Sequence, residues 1–358
     1  MIQTDALVIG AGPVGLFQVF QLGLLGLKAE IIDVLPQAGG QCIALYPDKP
    51  IYDIPGVPLC TGRELTQQLL TQAMPFMPAD APSAKPRNLH LGHMVSELQP
   101  QADGGFVIHA DKGLQVNARA VFIAAGAGAF VPRTLNLPGL AQASNVHHFL
   151  HEADEAPAPW AAQHLVIHGG GDEALSAAIS IAQHPDLTQR PARISLLHRR
   201  DQFQADEALD AQVRELIATG QIDLIVGMPS EATVEQGHVK ALQILGADSQ
   251  TRSVPLDHLL IRLGMSPKLG PLSNWGMALE RKQVAVNTAS FESSIPGLYA
   301  VGDINTYPGK KRLLLCGFHE ATLAAHHAAA AVHPDAPQHL LYTTTSPLLH
   351  ERLGMARK

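Results

Sequence analysis

The sequence predicts an α/β protein built from two Rossmann-like, three-layer nucleotide-binding domains. Three observations predict it. An apolar run leads into a glycine-rich turn and then a helix-patterned stretch at residue 10, and again at residue 169. Each helical stretch is followed by a second short apolar run. Thirty-one glycines and only 16% charged residues in 358 suit buried parallel strands joined by tight turns.

The bulk composition narrows the possibilities further. The length suggests two domains or three. A hydrophobic content of 46% excludes wholesale disorder. With 25 basic against 32 acidic residues the net charge is −7, which argues against a nucleic-acid binder. The three cysteines, at 42, 60 and 316, form no C-x-x-C and no disulfide scaffold, as expected of a reduced, cytoplasmic chain.

The first motif begins with a strand over 5–9 (DALVI). The turn Gly10-Ala11-Gly12-Pro13-Val14-Gly15 follows, then a helix over 16–26 and a strand over 28–33 ending in Asp33. Gly10 permits the tight turn, Gly12 lets backbone approach a pyrophosphate, and Gly15 lets helix pack on strand. The helix N-terminus offers free N–H groups to phosphate. Asp33, 23 residues after Gly10, can accept hydrogen bonds from ribose hydroxyls. The same region, Ala6 to Leu27, is uncharged and long enough to span a bilayer. Its glycines, Pro13, Gln18 and Gln21, and the lack of a preceding basic residue, favour the nucleotide fold over a membrane segment.

The second motif repeats the plan. A strand over 164–168 (HLVIH) enters Gly169-Gly170-Gly171-Asp172-Glu173-Ala174, a helix covers 174–183, and a strand covers 192–197. This strand ends not in an acid but in His198-Arg199-Arg200. Cationic groups there suit the 2′-phosphate of NADP, which an arginine fork matches well. An acid-tipped fold followed by an arginine-tipped one implies one nucleotide held in place while NADPH visits. The expected hydride acceptor is FAD.

On these motifs the chain resembles the two-dinucleotide-domain flavoprotein reductases. Within them it is similar to the thioredoxin-reductase-like ferredoxin or flavodoxin–NADP reductases. The resemblance covers nearly the whole chain. It implies that Gln41 and Tyr46 contact FAD, that Tyr52 stacks on the isoalloxazine, and that backbone at Val95 meets the adenine. Phe130, in GAGAFVPR, matches another FAD contact, and VFIAAG over 121–126 closes the first fold. The run IPGLYAVGDINTYPGKKRLLLCGFHEA resembles the second FAD motif. There Asp303 would bond the ribityl or pyrophosphate side, and a helix over 314–331 would direct its N-terminus at the flavin O2 region. Thioredoxin reductases carry a C-x-x-C before the second glycine motif, and this chain has none. A C-terminal extension, with Thr344 as contact, is implied to cover the flavin's other face. Homodimerisation is implied as well. One departure is Gln204, where the family usually has a further arginine.

These motifs imply a split FAD domain, residues 1–125 and 270–358, with an NADPH domain inserted over 126–269. The connectors, near 127–132 and 265–272, would act as hinges. The proline-rich segment 74–87 reads as a surface loop, and 107–109 with 114–116 as a small hairpin. Eighteen histidines raise a metal reading, with His147 and His151 at helical spacing and His326 beside His327. No cysteine accompanies either group, and no metal site is expected. Cys42 reads as a small buried hydrophobe, while Lys310-Lys311-Arg312 reads equally as a solvated loop or as a patch steering an acidic carrier.

The expected activity is hydride transfer from nicotinamide C4 to flavin N5, then single electrons to ferredoxin or flavodoxin. No acid–base residue is assigned. Alternatives are reduction of a quinone, a ferric chelate or an external disulfide protein, or nucleotide sensing without turnover.

Overall fold

The computed structural model describes residues 1–79, 85–102, 104–148, 150, 158–336 and 339–355, without the side chains of 129–131, 265 and 267. The chain divides into two compact units, Met1–Phe130 with Pro267–Lys358, and Val131–Ser266.

In the first unit, β1 (Ile2–Ile9) runs into α1 (Pro13–Leu24) and β2 (Ala29–Asp33). The strand begins earlier than its apolar run, because ladder bonds to the neighbouring strand start at Ile2. The helix begins at Pro13, whose fixed φ and missing N–H suit a first helical position. The membrane candidate Ala6–Leu27 thus resolves into strand, turn and helix, and no helix among the described residues is long and apolar enough to cross a membrane. One turn of helix, α2 (Gln41–Ala44), precedes the short pair β3 (Pro50–Ile51) and β4 (Cys60–Thr61). A capping box of Thr61 and Glu64 starts α3 (Gly62–Ala73). Of the expected proline-rich loop, 74–76 form a short 3-10 turn, and 80–84 lie outside the described residues.

β5 (Leu89–Leu91), β6 (Val95–Pro100), β7 (Phe106–Ala110) and β8 (Gln115–Ile123) complete this half. The expected hairpin exists, but its second strand runs on to Ile123. β8 pairs along one edge with parallel β1. Along its other edge it first pairs with antiparallel β7, then with a parallel strand arriving from the C-terminal part.

The chain leaves through β9 (Ala129–Pro132). In the second unit come β10 (Val146–His147), β11 (His164–His168), α4 (Asp172–Ala182), β12 (Arg193–His198), α5 (Glu207–Ala218) and β13 (Asp223–Val226). A meander of β14 (Met228–Glu235), β15 (His238–Leu245) and β16 (Thr251–Pro255) precedes β17 (His258–Ile261). The parallel sheet has the order β10-β17-β11-β12-β13. Side chains alternate along β11: Leu165 and Ile167 pack with the helices, and Val166 packs with Val239, Leu242 and Ile244 of the meander. This period of two makes three layers of helix, parallel sheet and antiparallel sheet.

The chain returns through β18 (Met265–Lys268), which pairs with β9 in a two-stranded ribbon. Both crossings are therefore strands, and the units divide at 130/131 and 266/267, not at the expected 125/126 and 269/270. The first unit then adds β19 (Leu279–Glu280), β20 (Gln283–Ala285), β21 (Leu298–Ala300), β22 (Asn305–Thr306), α6 (Leu314–Val332) and α7 (Pro347–Arg352). β21 is the strand that joins β8, which completes a seven-stranded sheet ordered β5-β2-β1-β8-β7-β6 with β21 beside β8. Ala321, Ala324, Ala325 and Ala328 of α6 are fully buried in the cluster holding Val14, Leu16 and Val19 of α1. Their small side chains let the helices approach closely.

Candidate functional site

The first glycine turn is built by exclusion. Gly10 has φ +110°, and a Cβ there would lie 2.5 Å from the Ala124 carbonyl oxygen. A Cβ on Gly15 would lie 1.8 Å from the Gly10 oxygen, so helix and strand meet only because it is absent. Gly12 is the N-cap of α1, with no side-chain cap and no acid in the first turn. The leading N–H groups are left for a ligand.

Asp33, 8% exposed, accepts from Ala11 N at 2.5 Å through Oδ2 and from Leu35 N at 2.8 Å through Oδ1. Burial pushes its carboxyl up, and these backbone donors pull it back. The acid expected to meet a ribose also locks the turn to the end of β2.

Around this turn lies a cleft of about 1250 Å³ including its open mouth. Gly10, Gly12, Pro13, Asp33, Gln41, Tyr46, Val95 and Asp303 all line it. Sequence reasoning missed His93 and Arg312 on the same wall. Leu313 and Leu314, at the uncapped N-terminus of α6, line it too, so this helix end also opens onto the cleft. The donor set suits a dinucleotide: two uncapped helix N-termini, a ribose-competent acid and an apolar wall.

Asp303 is half-buried. Burial pushes its carboxyl up, while Lys310 and Arg312 pull it down. Its loop is held by a residue the sequence did not single out. Glu320, fully buried, accepts from Gly302 N at 2.7 Å, Asn305 Nδ2 at 2.8 Å, Tyr307 Oη at 2.9 Å and Lys310 Nζ at 2.5 Å. The available signal was one acid in the alanine-rich stretch of α6. Lys310 is therefore neither solvated nor available for docking; only Lys311 and Arg312 of that run are exposed.

Two predicted contacts, both described, do not join the cleft lining. Tyr52 is 69% exposed and stands outside it. Thr344 lies in an exposed turn, also outside it. The extension carrying Thr344 continues into α7, where Leu349 is buried and Arg352 Nη1 donates to Leu24 O at the far end of α1. That end is about 18 Å from the glycine turn for twelve residues at ~1.5 Å each. The C-terminal segment thus also holds the far end of α1. The side chain of Phe130 lies outside the described residues.

Cys42 is 1% exposed with Sγ 3.6 Å from Tyr46 Oη, and burial pushes its thiol up, away from the reactive thiolate.

At the second turn, Gly169, Gly171 and Ala174 take the positions expected of them, with Gly171 as N-cap of α4 and Ala174 fully buried. Asp172 Oδ1 accepts from Asp206 N at 2.8 Å. His198, Arg199, Arg200, Gln202 and Gln204 line a small cleft together. The His198 ring lies against Gly170, where a Cβ would be 2.5 Å away. Gln204 N donates to Gly170 O at 2.8 Å. Burial pushes His198 down, and the two exposed arginines, Arg199 and Arg200, add to that. Gln204 lines the same cleft and brings an amide, not a charge.

Among the described residues no group of three or more His, Cys, Asp or Glu could hold a metal ion. His147 stacks on His258 with Nε2 2.9 Å from Nδ1, and His327 Nδ1 meets Tyr299 Oη at 2.9 Å. His151 lies outside the described residues.

Fold and site together define a class: two-domain pyridine-nucleotide oxidoreductases, in which each domain presents its own glycine turn. The chain belongs to the pyridine nucleotide-disulphide oxidoreductase family, whose profile matches residues 4–331. It is 51% identical over 364 residues to a ferredoxin–NADP reductase of Paracidovorax citrulli, covering 99% of this chain and 97% of that one. A ferredoxin–NADP reductase of Verminephrobacter eiseniae is 50% identical, at 99% and 98% coverage. In fold the chain is similar to bacillithiol disulfide reductase from Staphylococcus aureus, with TM-score 0.59, 16% identity, and 92% and 99% of the two chains covered.

Proposed function

We propose that this protein is an FAD-dependent ferredoxin or flavodoxin–NADP reductase, working as a cytoplasmic homodimer. The observation that carries the reading is half-identity, over nearly the whole length, to proteins named ferredoxin–NADP reductase, in a chain that keeps both nucleotide turns.

Bound in the first cleft, FAD supplies the conversion between a two-electron hydride and single electrons. The chain's own residues bind and orient. Val95 and Asp33 hold the adenosine end, the α1 N-terminus the pyrophosphate, and Gln41, Tyr46 and Asp303 the flavin end. Tyr52 presents an exposed ring for stacking. Phe130 and Thr344 are retained as flavin contacts on the resemblance alone. The N-terminus of α6 favours negative charge gathered on the reduced ring. In the second unit Gly169, Gly171, Asp172 and Ala174 shape the NADPH turn, and His198, Arg199 and Arg200 meet the 2′-phosphate. Exposed Lys311 and Arg312, beside Leu313 and Leu315 at 47% exposure each, form a cationic and apolar rim suited to an acidic carrier.

The test is anaerobic reduction of the purified yellow protein by NADPH, followed by titration with ferredoxin, flavodoxin and a quinone. Reoxidation by either protein carrier is expected. Turnover with the quinone alone overturns the carrier assignment, and a colourless protein that rejects added FAD overturns the flavoenzyme reading altogether.

A further inference from the structure

The two glycine turns differ in charge. The first turn of α1 holds no acid, whereas α4 opens with Asp172 and Glu173. Free N–H groups and the positive dipole end make such a terminus a place for phosphate, and a carboxylate beside it opposes that use. Asp172 is turned back onto Asp206 N. Glu173 has a different answer: its Oε2 lies 3.4 Å from Arg262 Nη2, with side chains 25% and 16% exposed.

Arg262 directly follows β17, at the carboxyl end of the parallel sheet, where nucleotides bind in such folds. Its carbonyl lies under the turn, so that a Cβ on Gly169 would be 2.2 Å away. Its N–H donates to His168 O at 2.8 Å, and its Nη1 to His148 O at 2.8 Å. The backbone of Arg262 is thus fixed to β11, and its guanidinium is held by the carbonyl just past β10. Its Nε is buried and has no partner among the described residues.

We propose that Arg262 is the charge-compensating residue of the second nucleotide site. It neutralises Glu173, so the α4 N-terminus can receive the dinucleotide pyrophosphate, and it keeps one donor in reserve. This rests on that turn being the NADPH site. The pyrophosphate is common to NADH and NADPH, so Arg262 acts on both. Arg199 and Arg200, at the 2′-phosphate, act on one.

The test measures dissociation constants of NADP⁺ and NAD⁺ for the holoenzyme by calorimetry, with melting temperature as a fold control. Arg262→Met is expected to weaken both by about tenfold or more. Glu173→Gln is expected to tighten both about threefold, and the double variant to return near wild type. Rescue by removing the acid is the signature that a merely structural arginine would not produce. Equal loss in the single and double variants, or no loss in Arg262→Met, overturns the proposal. Should Arg262→Met fail to fold, failure of Glu173→Gln to tighten binding overturns it. If wild-type protein binds no NADP⁺, or Arg199→Ala weakens both dinucleotides equally, the NADPH reading falls and this inference with it. If those controls hold, only the role of Arg262 is at stake.

Discussion

Lys310 Nζ lies 2.5 Å from Glu320 Oε1, with the two side chains 8% and 0% exposed. The same Nζ donates to Gly302 O at 2.8 Å, and Glu320 accepts from Gly302 N. The pair therefore grips both sides of the glycine that precedes Asp303. Lys310→Met would leave Glu320 charged, buried and short of its cation. We expect a loss of about 3–5 kcal/mol, read as a lower melting temperature and FAD lost on gel filtration. Adding Glu320→Gln should recover part of the loss; strictly additive losses would contradict the pairing.

Asp33 satisfies two backbone donors as well as facing the cleft. Asp33→Ala would leave the buried Ala11 and Leu35 N–H groups unpaired, at about 1–3 kcal/mol each. We expect the protein to be purified largely without flavin, measured as the ratio of visible to ultraviolet absorbance. Asp33→Asn keeps one acceptor oxygen and should fall between alanine and wild type.

Arg199→Ala should raise KM for NADPH about tenfold, equivalent to ~1.4 kcal/mol, and leave NADH nearly unchanged. Gln204→Arg, facing the same cleft, should lower KM for NADPH. Equal changes for NADH would place these side chains away from the 2′-phosphate.

Five histidines of the second unit, His148, His164, His168, His198 and His258, are pushed below the ordinary 6.5, in each case chiefly by burial. Around and below pH 6.5 the unfolded chain then binds protons that the folded unit refuses. Their contribution to stability is complete above about pH 6.5 and is lost as pH falls through that value. Asp33 and Asp303, pushed up by burial in the first unit, act in the opposite sense. Trp160 is buried in the second unit, and Trp275 belongs to the first. Fluorescence melts of Trp275→Phe should show the second unit melting earlier at pH 5.5 than at pH 7.5. A transition that is unchanged, or later, in acid would contradict this.

Lys311→Glu should slow reduction of an acidic carrier, with the deficit shrinking as salt is raised. Hydride uptake from NADPH should be unaffected. A loss that persists at high salt would argue against electrostatic steering.

Much of this was legible along the chain, because its causes are local. The run HLVIH is β11 to the residue, since a parallel strand covered on both faces shows as an unbroken run of buried side chains. The glycine spacings mark both turns, because a clash such as that of Gly15 with Gly10 arises within a few residues. The separate pieces 114–116 and 121–123 form the single strand β8, a continuity hidden from the sequence because its later residues are paired by β21, far along the chain.

The places of the two glycine turns, and the residues that tip the strands after them, are written in the chain itself, since turn geometry and side-chain period are properties of neighbouring residues. Which charges are spent inside the protein emerges from the folded chain alone. Lys310 is buried against Glu320, Glu173 meets Arg262, and the Thr344 segment clamps α1. The reason is physical: whether a charge is solvated or paired depends on what packs against it, and those partners come from distant parts of the chain.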